Sequence, residues 1–280
     1  MTQQPSEGLR RRARASQAHG LCRWACGVLG SAGVMAAPLK GVLLNATIYA
    51  DRAPTRVGDV DMLVSPAAFD AAQKALQDAG AQRIQLQVHA STWYVEGFPI
   101  LLDLHRHLVA PSWFAFRTDE ILARASLRAD MFAPSKVLAL DAYDVYAHLI
   151  ADFAKSRRGA MYIERLRDLR LWPAWHRLDP SVAGSVIAAN GLGRAARYVL
   201  DVAACSEGDG FARAVLDGLP GDPVGSVLAA LARRGMQWQP DGAARTVVLG
   251  HLLNRSLPAG GESLLRSLFG GAPKGLRWPQ

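Results

Sequence analysis

Cysteine is scarce: 280 residues carry three, with Cys22 and Cys26 four apart and Cys205 alone. An odd, sparse set of this kind excludes the disulfide framework of a small secreted domain. No Cys/His set has zinc-finger spacing. His105 and His107 alternate along a strand-like run, but two histidines without further ligands nearby ordinarily serve structure. No clean apolar run reaches about 18 residues, so no transmembrane helix is expected. Arg10 to Arg14 precede an apolar run from Trp24 to Leu39 that contains Ala36-Ala37, the outline of a signal peptide. Arg23 interrupts the approach to that run, and cleavage near Ala37 would remove a core strand. The chain is therefore read as cytoplasmic, with no membrane partner. Aromatic interleaving and any recognisable RNA-binding motif are also missing, which argues against nucleic acid.

What is present is ordinary globular material: half the residues are hydrophobic and a fifth are charged. The formal charge is +8. A basic surface suits an anionic ligand such as a nucleoside triphosphate, although Arg also simply solubilises an Ala-rich chain. No internal repeat is visible. Residues 1–19 are polar and Arg-rich with no apolar period, and read as a disordered, solvated arm.

Periodicity predicts a short helix over 20–30, a buried strand over 34–39 and a helix from Gly41 to about Ala50. A strand follows over 59–64. Ser65-Pro66 then starts a helix bearing Phe69, Ala72, Leu76 and Ala79, closed by Gly80. Strand-like pieces cover 82–88, 91–96 and 99–105, with a turn at Gly97-Phe98-Pro99. After Pro111 the chain reads as mainly helical over about 135–204, a loop over 206–224, and helical again at 225–235 and 243–254. The divisions expected are an arm (1–19), an α/β or α+β core (20–110) and a mainly helical region (111–280).

Side chains on a strand alternate faces, so Asp59 and Asp61 point one way while Val60, Met62 and Val64 point the other. Carboxylates so close repel, and a hard divalent cation resolves the repulsion. Asp103 adds a third, opposite in face to Leu102 and Leu104. Three carboxylates on adjacent strands are what two-metal phosphoryl transfer requires. Lys40-Gly41 stands where a strand turns into a helix, where backbone amides and a bare Cα could cradle a phosphate. Arg52, Arg56 and Lys155 are further phosphate or acceptor contacts, or plain surface charge. If the carboxylates only repel one another, Asp61→Asn should leave the metal-free protein as stable as the parent. Gly41→Val should weaken nucleotide binding and leave the fold cooperative.

The run Leu39-Lys40-Gly41, then Arg56-Val57-Gly58-Asp59-Val60-Asp61-Met62-Leu63-Val64, then Leu102-Asp103-Leu104-His105 resembles the uncharacterised nucleotidyltransferase family of the polymerase β-like superfamily. The resemblance extends over about residues 25–175. It implies an α+β fold: a small mixed sheet flanked by helices, followed by a mainly helical region. It implies two Mg²⁺ or Mn²⁺ ions held by Asp59, Asp61 and Asp103, and a nucleoside triphosphate as substrate, for whose phosphates Lys40, Gly41, Arg52 and Arg56 are the candidate contacts. It also implies nucleotidyl transfer to an acceptor hydroxyl or phosphate on a small molecule, peptide or protein, with pyrophosphate released. A helical Asp, His and later Asp expected by the family are matched by Asp144, His148 and Asp168. Val42 replaces the Ser or Gly that the wider superfamily has after Gly41, and Arg106 replaces a Trp. An inactive module of the same fold, binding nucleotide or a partner, is the alternative. Asp144 and His148, one helical turn apart, read as a structural tie. His89 and Trp93 read as core or surface residues near the strand turn.

Overall fold

Ser6 opens the first helix, its hydroxyl accepting from the Leu9 amide at 3.4 Å. That helix, α1, runs Glu7–Ser31 and buries Ala18, Leu21, Cys22, Ala25, Cys26 and Leu29 as one stripe at helical spacing. The computed structural model describes residues 6–111, 113–155, 162–223, 225, 226 and 230. Within these, the arm expected to be disordered through residue 19 is helical from Glu7. Two of its arginines are engaged, which polarity alone concealed: Arg11 pairs with Glu7 and, at 2.6 Å, with Glu164, and Arg14 donates to the Val57 and Gly58 carbonyls.

The elements that follow are β1 (Ala37–Pro38), α2 (Lys40–Ala46), β2 (Val60–Leu63), α3 (Phe69–Asp78), β3 (Gln82–Leu86), β4 (Ala90–Tyr94) and β5 (Leu102–His105). Their order is the one periodicity predicts, with shorter strands. Ser65 caps the single 3₁₀ turn ahead of α3. The five strands form one mixed sheet in the order β1-β2-β5-β4-β3, with β2 and β5 parallel and the other pairs antiparallel. Val60, Met62, Leu102, Leu104 and Trp93 form one buried cluster with the α1 stripe and with Phe69, Ala72 and Leu76 of α3. Trp93 is thus a core residue, its indole N–H donating to Ser91 Oγ at 2.8 Å. The three cysteines are free.

The chain divides into two compact units. The first adds to this core α4 (Thr118–Ala123), a hairpin of β6 (Ser126–Phe132) and β7 (Ser135–Ala139), the start of α5 (Ala142–Lys155) and α6 (Tyr162–His176). The hairpin corrects the expectation that helix begins at about 135. It is fastened to the sheet by the Leu138 amide, which donates to the Ala36 carbonyl. The second unit contains α7 (Pro180–Ala189), α8 (Gly193–Glu207) and α9 (Gly210–Gly218). Asp179 and Asp209 cap α7 and α9, and Gly208 closes α8 at φ 63°. Helix α9 occupies a stretch expected to be loop. The helices expected at 225–235 and 243–254 fall outside the described residues apart from 225, 226 and 230. Among the described residues no helix is long and apolar enough to cross a membrane. The protein is α+β, with a small mixed sheet and a helical C-terminal region.

Candidate active site

Parallel pairing of β2 with β5 sets Asp61 beside Asp103 and Leu63 beside His105. Strand alternation turns these four side chains to the sheet face opposite the α1 and α3 helices. Ligand atoms of Asp61, Asp103 and His105 all lie within 4.8 Å of one another. Antiparallel β1 brings the start of α2 to the same place, because the Leu39 amide donates to the Asp61 carbonyl at 2.9 Å. Lys40 follows with a left-handed backbone, φ 48°, a conformation costly for a side chain with a Cβ. Its ammonium donates to Asp61 Oδ1 at 2.5 Å, and His105 Nε2 lies 2.9 Å from that same oxygen.

Asp61 is 2% exposed. Burial pushes its carboxyl up, but Lys40 and His105 together outweigh burial and hold the group well below the usual carboxylate range. Asp103 Oδ1 and His105 Nδ1 are buried without a hydrogen-bond partner. A buried carboxylate oxygen without a partner, such as Asp103 Oδ1, is rare and suits a cation. The donor set therefore fits a divalent metal: two carboxylates on neighbouring strands, with Asp103 Oδ1 unpartnered, and one imidazole whose Nε2 faces Asp61.

His105 belongs to this cluster although its spacing with His107 suggested a structural role. The signal was available: His105 shares the parity of Asp103. His107 turns elsewhere, its Nδ1 3.3 Å from Thr118 Oγ1. Asp59 lies just ahead of β2, is exposed, and is not part of the three-residue cluster. The departure at Arg106 is absorbed locally: its Nε donates to the Val88 carbonyl and its guanidinium lies 5.4 Å from the Phe69 ring. His89 lies beside the site, its ring centroid 6.0 Å from that of His105.

A Cβ on Gly41 would meet the Arg56 carbonyl oxygen at 3.3 Å and Val57 Cγ2 at 3.4 Å. The glycine is thus needed for close packing of chain 56–57, which the phosphate argument did not foresee. Gly41→Val should lower stability by about 1–3 kcal/mol through overpacking, so a thermal melt must accompany any nucleotide titration of that variant. A melt matching the parent would show that the loop yields freely. Val42 is buried. Arg52 and Arg56 are exposed. Arg52 lines a cavity of about 500 Å³ with Arg12, His19, Asn45 and Tyr49, and its guanidinium lies 6.0 Å from the Trp175 ring. The Lys155 side chain lies outside what the structure describes.

The helical Asp–His–Asp set divides. Arg124 forks onto both oxygens of buried Asp144, at 2.8 and 3.0 Å. His148 is buried one turn on. Asp168 accepts from the Tyr49 hydroxyl at 2.6 Å, and Arg167 Nε donates to that hydroxyl at 2.9 Å. Burial pushes the Asp168 carboxyl up to about 6, against the lowering effect of Tyr49 and Arg167. Its ordinary value is 3.8. Between these values the native chain binds the proton and the unfolded chain does not. Stability linked to Asp168 is therefore complete below pH 3.8 and is lost as pH rises through about 6, amounting to up to about 3 kcal/mol. Asp168→Asn should flatten the pH dependence of melting between about pH 4 and 6.5. Parallel melting curves of parent and variant across that window would remove this assignment.

A family model described as "Uncharacterised nucleotidyltransferase" matches residues 9–206. No curated protein matches the chain. A solution structure of the antibiotic-resistance factor ANT(2'')-Ia is similar at 11% identity and a TM-score of 0.46, over 64% of this chain and 91% of that one. A crystal structure of ANT(2'')-Ia in complex with adenylyl-2''-tobramycin is similar at 12% identity and a TM-score of 0.46, over 61% and 95%.

Proposed function

The chain belongs to the uncharacterised nucleotidyltransferase family, and from that premise we propose that it moves a nucleotidyl group from a nucleoside triphosphate to an acceptor hydroxyl or phosphate in a reaction that needs Mg²⁺ or Mn²⁺. The observation that carries this reading is the in-register pair Asp61 and Asp103, with His105 beside them and Asp103 Oδ1 buried without a partner. Asp61, Asp103 and His105 would hold the metal, with Asp59 reaching in from the segment ahead of β2. Divalent ions, when bound, neutralise phosphate charge and align the attacking and leaving oxygens.

The residues of the chain supply the rest. Asp103, directly or through a water, takes the proton of the acceptor. The acceptor oxygen bonds to the α-phosphorus, the bond from that phosphorus to the bridging oxygen breaks, and pyrophosphate leaves with the electron pair. Lys40, paired with Asp61, turns to the triphosphate, where its charge offsets that of the phosphates. The α2 amides from Gly41 onward, Arg52 and Arg56 complete the anion contacts.

One observation favours a second reading. Lys40 and His105 already satisfy Asp61 Oδ1, so the fold could bind nucleotide or a partner without turnover. Incubation with Mn²⁺ or Mg²⁺ and each labelled triphosphate separates the two. Label on protein or small metabolites rather than RNA, with pyrophosphate released, is expected. Metal-dependent binding without pyrophosphate would establish the inactive module.

A further inference from the structure

Residues 53–59, which lead into β2, lie outside helix and strand, yet the backbone of residues 55–58 is contacted at every position. Asn45 holds Thr55 at both ends: its Oδ1 accepts from the Thr55 amide at 3.0 Å and its Nδ2 donates to the Thr55 carbonyl at 3.2 Å. The Arg56 carbonyl packs on the bare Cα of Gly41. The next two carbonyls are taken by one side chain from a distant helix. Arg14 of α1 donates through Nε to the Val57 carbonyl at 2.7 Å and through Nη2 to the Gly58 carbonyl at 2.9 Å.

We propose that Arg14 is a positioning residue for the metal site: its guanidinium clamps Val57 and Gly58 and so sets where Asp59 stands. The inference rests on the metal-dependent reading given above. Asp59 is exposed and stands just ahead of the β2 ladder, between Gly58, whose carbonyl Arg14 holds, and Val60, whose amide donates to the Leu101 carbonyl at 2.9 Å. A charged fork onto two successive carbonyls is stronger than neutral bonds and fixes direction as well as distance. Arg14 can do this because α1 is anchored one and two turns later by buried Ala18 and Leu21, and because Arg11 ties the same end of the helix to Glu164. Only a guanidinium reaches both carbonyls with a fixed spacing. A lysine there keeps the charge but loses the fork.

The test uses the full chain with Mn²⁺ alone as probe, titrated by electron paramagnetic resonance, and hydrogen exchange of peptides spanning 55–61 in metal-free protein. Arg14→Ala should weaken Mn²⁺ binding by about tenfold or more, the usual loss when a residue supporting a metal ligand is removed. Arg14→Lys should fall between that variant and the parent. Arg10→Ala, which removes a charge from the exposed start of the same helix, should leave binding unchanged. Exchange at 55–61 should quicken in Arg14→Ala while that of α3 stays the same. Parental affinity in Arg14→Ala would overturn the inference, as would an equal loss in Arg10→Ala, which would reduce the effect to net charge. A parent that binds no Mn²⁺ would overturn the metal-dependent function itself. The exchange measurement then still decides the clamp: quickened exchange upholds it, and unchanged exchange refutes it.

Discussion

Asp61→Asn is expected to melt well below the parent in metal-free buffer and to gain nothing from Mn²⁺ plus triphosphate. The first half of this result reverses the expectation from sequence, in which grouped carboxylates only repel. Asp61 is the buried counter-ion of Lys40 and accepts a second contact from His105. Removing its charge leaves a cation beside a neutral amide. Breaking a buried pair costs about 3–5 kcal/mol, and because the Lys40 side chain is 22% exposed and can turn to water, about 2–4 kcal/mol is expected here. The second half follows from linkage: a ligand bound only by the native state raises stability with the logarithm of its concentration over Kd. The parent should therefore gain stability from Mn²⁺ and ATP. Melts of both proteins, with and without the ligands, decide the matter. An Asp61→Asn variant that melts with the parent and still responds to Mn²⁺ would remove Asp61 from the metal site.

Asp103→Asn should show the opposite division between stability and activity. Asp103 Oδ1 has no hydrogen-bond partner, so the fold loses no contact there. One charge is also removed near Asp61, which relieves repulsion. The variant should melt at or slightly above the parent without metal. Its nucleotidyl transfer should fall by at least about 10²–10³-fold, the loss typical when one preorganised electrostatic group is deleted from an active site. Initial rates with saturating Mn²⁺ and triphosphate measure this. Parental turnover would exclude Asp103 as ligand and as proton acceptor. Together the two variants separate a carboxylate that the fold uses from one that it leaves available.

The sheet and the Asp61–Asp103 face were legible because strand parity is a local rule. Val60 and Met62 had to go inward, so Asp61 went to the other face, and Leu102 and Leu104 did the same for Asp103. The start of α3 was legible in Ser65-Pro66 for the same reason, since a cap needs only its own next turn. The first turns of α1 were not legible. Arg10, Arg11, Arg12 and Arg14 look like a solvated tail, and what holds two of them, Glu164 and the carbonyls of Val57 and Gly58, stands far along the chain. The β6–β7 hairpin was missed because β6 is largely exposed, which leaves no apolar alternation to read.

From the sequence alone came the element order of the core, the polarity of the β2 and β5 faces and the choice of Asp59, Asp61 and Asp103 as candidate ligands. All three follow from backbone periodicity, which acts over a few residues. Tertiary structure decided what each charge faces. Lys40 meets Asp61 across 21 residues of chain, His105 meets it across 44, and Arg14 meets Val57 across 43. Such contacts depend on how α1, α2 and the sheet pack, and packing answers to the sum of many apolar contacts rather than to any local pattern. That is why candidate carboxylates could be named from their spacing, whereas His105, the cation already resting on Asp61 and the arginine holding the segment ahead of Asp59 emerged only once the chain was folded.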